Sequence, residues 1–144
     1  MNPLALEDED AMRWLETLVW PGQEPRRDNL RRAIAVARRE PPLVVRGDLL
    51  TDLRDLCGAA PQGLTLVVFH SAVLAYVRSQ EARDAFATKV RSLADVWISN
   101  EGPGVFPGIA AAAGDVRLGK FLLAQNGIPV AWTDPHGASM EWIT

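Results

Sequence analysis

Apolar residues along the chain follow two rhythms. Toward the N-terminus they recur every three to four positions, and further on they gather in short continuous blocks. Trp14, Leu15 and Leu18 fall at helical spacing, which predicts a helix from Ala11 to about Trp20 with these three facing the core. Asp10 is its expected cap and Pro21-Gly22 its stop; the acidic residues 1–10 read as a loop. Leu30, Ala33, Ile34 and Ala37 stripe a second helix, Pro25 to Arg39. Arg27, Arg31, Arg32, Arg38 and Arg39 lie largely off that stripe and read as a solvated basic face.

The blocks begin after Pro41-Pro42. Leu43 to Arg46 predicts a first strand, followed by a helix through Leu56 capped by Asp48 or Thr51. Leu64 to Phe69 is continuously apolar, as in a strand buried on both faces of a parallel sheet. A long helix, Ala72 to Leu93 with Ser71 as its N-cap, and a strand Val96 to Ser99 complete a β-α-β-α-β run. Glu101 to Gly114, rich in Gly, Pro and Ala, reads as a long irregular loop. Asn126-Gly127 between two apolar runs predicts an antiparallel hairpin, because a type I′ turn needs positive φ at both central residues.

These elements predict a three-layer, Rossmann-like α/β fold with about three parallel strands and a terminal antiparallel hairpin. The domain organisation is one α/β domain over 1–144. It divides into a helical part (1–40), the β-α-β-α-β run (41–100), a loop (101–118), and a hairpin with its tail (119–144).

Composition narrows the function. The chain of 144 residues is 48% hydrophobic and 23% charged, ordinary for a globular protein. Its net charge of −3 argues against nucleic acid as a partner. The single cysteine, Cys57, excludes an internal disulfide and a cysteine-based zinc site and reads as a packed, inert thiol. The acidic N-terminus does not resemble a secretory signal, and no apolar run approaches the ~18 residues of a membrane span, so a cytoplasmic protein without a membrane partner is expected.

Polar clusters sit where the predicted strands end: Arg46-Gly47-Asp48, His70-Ser71, Ser99-Asn100-Glu101 and Thr133 to Gly137. In an open α/β sheet, ligands bind outside the carboxyl ends of the strands. The catalytic candidates are therefore His70, Glu101 and His136. The candidates for lining a small-molecule substrate pocket are Asn100, Glu101, Asp134 and His136. The two histidines with Asp48, Glu101 or Asp134 would make a two-histidine, one-carboxylate metal set; a metal-dependent hydrolase is the third-ranked reading, and no metal is expected. A Ser71 nucleophile would need His136, because His70 and Ser71 point to opposite faces of a strand.

A parallel run closed by a hairpin resembles the second half of a class I methyltransferase fold. Arg46-Gly47-Asp48 is similar to the acidic turn after the third strand of that fold, and Phe69-His70-Ser71 to the exit of its fourth. The resemblance implies S-adenosylmethionine as cofactor, with Asp48 meeting the adenine amino group and His70 and Ser71 lining the pocket. The chain also resembles the bacterial family catalogued as domain of unknown function 2332. The matching stretches are Arg13-Trp14-Leu15, Leu18 to Pro21, Arg46-Gly47-Asp48, Val67 to Leu74, Trp97 to Glu101, and Asp134 to Gly137 with Trp142. That family implies no established activity. Its members resemble longer proteins with an upstream, glycine-containing cofactor turn, and no Gly-x-Gly-x-x-Gly follows a strand here. Two expectations follow: a methyltransferase-like half-domain, or a non-catalytic assembly module that forms a homodimer or pairs with a separate N-terminal half.

Overall fold

In the computed structural model, which describes residues 4–143, the chain forms two compact units, Met1–Gly47 and Asp48–Thr144. The first unit holds two helices, α1 (Glu9–Thr17) and α2 (Glu24–Arg39). Asp8, not Asp10, caps α1: its carboxylate accepts the Asp10 and Ala11 N–H groups, both at 3.0 Å. The buried stripe of this unit is Met12 and Val19 with half-buried Leu15, while Trp14 and Leu18 are exposed, contrary to the expected core face. Positions 12, 15 and 19 also fit a helical period, so the spacing alone admits two faces. The basic residues of α2 are partly used: Arg31 bonds Glu16 and Arg38 bonds Glu9, each at 2.8 Å. Such exposed pairs contribute little to stability.

The second unit is a mixed α/β fold around one five-stranded sheet. Its elements run α3 (Leu53–Gly58), β1 (Val67–Ser71), a 3₁₀ turn (Leu74–Tyr76), α4 (Gln80–Leu93), β2 (Val96–Glu101), α5 (Pro107–Ala112), β3 (Phe121–Gln125), β4 (Ile128–Thr133) and β5 (Met140–Trp142). The strands lie side by side in chain order, with β1 and β2 parallel and every other pair antiparallel. The expectation of three parallel strands is corrected to this one parallel pair. Leu43 to Arg46 carries no strand pairing and is exposed; an isolated four-residue apolar run meets the strand pattern without finding a ladder.

Two further boundaries differ. The helix expected from Ala72 begins only at Gln80, and its cap is Ser79, whose hydroxyl accepts the Ala82 N–H. Ala72 takes φ 54°, a left-handed conformation that ends β1 and cannot continue into a helix. The long loop contains α5, started by Pro107 at its first position. The hairpin forms as expected, with Asn126 at φ 52° and Gly127 at φ 81°. Asn126 also explains its own side chain: Oδ1 accepts the Trp97 N–H, and its N–H donates to the Trp97 carbonyl, both at 2.7 Å. The turn is thereby bolted to β2.

Helices cover one face of the sheet. Phe86, Ala87 and Val90 of α4 pack with Leu74, Trp97, Val105 and Phe106, and Ala110 of α5 packs on Leu122 and Trp132. The register puts Val67, Phe69, Met140 and Trp142 on the other face, where they are exposed, with Ile98 and Leu123 half-buried and Ala131 buried among them. The arrangement is two layers within this unit. No helix among the described residues is long and apolar enough to cross a membrane.

Candidate functional site

Strand alternation decides which candidate residues meet. In β2, Trp97, Ser99 and Glu101 point toward the helices, and in β1 so does His70, opposite Ser99. The outcome is a buried polar chain in an otherwise apolar layer. His70 Nδ1 lies 2.8 Å from Glu101 Oε1, and the Trp97 indole N–H donates to His70 Nε2 at 2.9 Å. His70 is 9% exposed and Glu101 2%. Indole is a donor only, so Nε2 must accept; the proton then sits on Nδ1 and is donated to the carboxylate. Phe86 meets the imidazole edge-on with ring centres 5.3 Å apart, and Arg91 lies over the Trp97 ring at 4.9 Å.

Glu101 Oε1 accepts two more bonds, from the Val73 and Leu74 N–H groups at 3.1 Å each. Left-handed Ala72 followed by right-handed Val73 turns successive N–H groups inward, a backbone concavity suited to an anion. The carboxylate therefore joins the end of β2 to the turn after β1. Both nitrogens of His70 and one oxygen of Glu101 are taken up in this anchor, which fixes three segments of chain.

Ser71, Asn100 and Thr133 meet on the opposite face. Asn100 Nδ2 donates to Ser71 Oγ at 3.4 Å, and Thr133 Oγ1 donates to Asn100 Oδ1 at 2.7 Å. His70 and Ser71 thus diverge, as strand alternation requires. Ser71 and Asn100 stand side by side at the carboxyl ends of the one parallel pair.

The remaining candidates are held locally. Asp134 Oδ1 accepts the His136 N–H at 2.8 Å and the Ala138 N–H at 3.4 Å, organising the turn between β4 and β5. These bonds, more than nearby Lys120, hold the Asp134 carboxyl below its ordinary range. His136 is exposed. Asp48 follows unpaired chain; its Oδ1 accepts the Leu50 N–H at 2.7 Å, and its own N–H donates to Asp52. Burial pushes the Cys57 thiol up. Among the described residues, no three His, Cys, Asp or Glu side chains converge to hold a metal, so the two-histidine, one-carboxylate set is not assembled.

A family model described as "uncharacterized protein conserved in bacteria (DUF2332)" matches residues 1–142. The chain belongs to this family. No curated protein and no solved structure matches it. The His70–Glu101 anchor and the Ser71–Asn100 pair both lie inside the matched stretch.

Trp97 belongs to the site although it is not among the strand-end candidates. The signal was available: strict alternation in Val96–Glu101 puts Trp97 and Glu101 on one face, and a carboxylate on a buried face demands partners.

Proposed function

We propose that the Asp48–Thr144 unit is a non-catalytic assembly module that pairs with a second copy of itself along the free edge of β1. The observation that carries this reading is the character of that edge. Leu66 and Ala72 direct backbone groups toward β2, so Val67, Phe69 and Ser71 direct theirs outward. Val67 is 50% exposed and Phe69 62%, and β1 has neither proline nor charge to deter pairing. A two-fold axis through Phe69 would set Phe69 against Phe69 and Val67 against Ser71, with no like charges in contact and two aromatic rings adjacent on the open face. Amide hydrogen exchange tests the reading. The Phe69 and Ser71 amides should slow as concentration rises; exchange that stays fast and concentration-independent argues against it.

A second reading rests on Ser71 and Asn100, which support a polar ligand at the carboxyl ends of the parallel pair. On the methyltransferase resemblance, that ligand is S-adenosylmethionine. Asp48 would then contribute its second carboxylate oxygen, since Oδ1 is bonded to Leu50. Glu101 and His70 would support the site from beneath, and Asp134 and His136 would approach from the β4–β5 turn. Calorimetric titration with S-adenosylhomocysteine tests it. Micromolar binding that Asp48→Ala weakens supports the assignment, and heat-silent titration removes it.

A further inference from the structure

The anchor leaves one atom unexplained. Glu101 Oε1 accepts three hydrogen bonds, yet no protein donor reaches Oε2 among the described residues, although the residue is 2% exposed. A buried carboxylate oxygen without a partner is disfavoured, and native structures rarely keep one. Glu101 lines a cavity of about 10 Å³, together with Ser99, Gly102, Phe106 and Ile109 among others. That is near the smallest volume that holds one water molecule. Apolar cavities of this size stay dry; this one carries a carboxylate and the Ser99 hydroxyl, and Ser99 is itself 2% exposed.

We infer that the cavity is a single-occupant site for one small hydrogen-bond donor, a water or an ammonium ion, which donates to Glu101 Oε2 and is held in turn by Ser99 Oγ. The chemistry follows from the acceptor. As an acceptor without a protein donor, Oε2 is satisfied by an occupant that brings an N–H or O–H group. The size follows from the volume, which admits no substituent larger than a single heavy atom. Two oxygen ligands are too few for a calcium or magnesium ion. The occupant would join two side chains of β2, Ser99 and Glu101, on the flank that the peptide nest does not reach.

Two measurements on the full chain decide the matter. A crystal structure at about 1.5 Å should show one fully occupied peak within hydrogen-bond distance of Glu101 Oε2. In solution, a ¹⁵N-labelled sample should show water-to-protein cross-relaxation at Ser99 and Gly102 with the sign of a long-lived contact. Adding ¹⁵N-ammonium chloride separates the sources: a persistent water contact identifies water, and its replacement by ¹⁵N-coupled protons identifies ammonium. Ala124→Val, which fills the cavity from β3, should abolish the signal. Should that variant fail to fold, the wild-type peak and contacts still decide. A cavity without density and without either contact, or an Oε2 paired to a protein donor, would overturn the inference.

Discussion

Trp97 donates its indole N–H to Nε2 of His70 at 2.9 Å, while Nδ1 of the same ring lies 2.8 Å from Glu101. This relationship makes the imidazole a relay between two buried side chains. The imidazole accepts on one side and donates on the other, and both partners are buried.

Replacing the ring should therefore be costly. His70→Leu keeps bulk but leaves the indole N–H unpaired and strips one bond from the carboxylate. The expected loss is about 2–4 kcal/mol. Exposed His136→Ala should stay within ~0.5 kcal/mol. Urea unfolding of both variants checks this, and equal small losses would remove the relay.

Ala72 should be improvable. Its φ of 54° costs an L-residue roughly 1–2 kcal/mol, of which unfolded-chain entropy returns part on substitution by glycine. Ala72→Gly is expected to raise stability by about 0.5–1 kcal/mol, read as a higher melting temperature. A lower melting temperature would mean that the methyl group itself packs usefully.

The hairpin turn offers the opposite case. Gly127 has φ 81°, and a Cβ there would run into the Arg91 guanidinium that lies over Trp97. Gly127→Ala should cost ~1–2 kcal/mol through backbone strain and displacement of that cation. Asn126→Gly keeps the φ but loses the bond to the Trp97 N–H, at a cost of about 1 kcal/mol.

Acid should loosen the β4–β5 turn. The Asp134 carboxyl is held below its ordinary value, so its contribution is present above the unfolded value and fades as pH falls through the folded one. Amide shifts of His136 and Ala138 should titrate together below the usual aspartate range. Asp134→Asn should abolish that transition, and a midpoint at or above the ordinary range would refute the assignment.

Particular residues show how far the fold was legible in sequence. Asn126-Gly127 specified its hairpin because few residues accept two successive positive φ values. The stripe on α2 specified a helix but not what it packs against. Leu43-Val44-Val45 looked as strand-like as Val67-Val68-Phe69, since pairing partners, which alone separate the two, are non-local. Strand direction was equally hidden: an apolar block carries no mark of parallel or antiparallel neighbours. Of the site, His70 and Glu101 were singled out, but their joint role depends on Trp97, 27 positions from His70.

Sedimentation equilibrium of the full chain, compared with Phe69→Glu, tests the assembly reading most directly. The account predicts a concentration-dependent dimer for the native sequence. It predicts a folded monomer for the variant, whose two-fold pairing would set like charges face to face across the β1 edge. A native chain that stays monomeric up to millimolar concentration, or a variant that dimerises equally well, would contradict it.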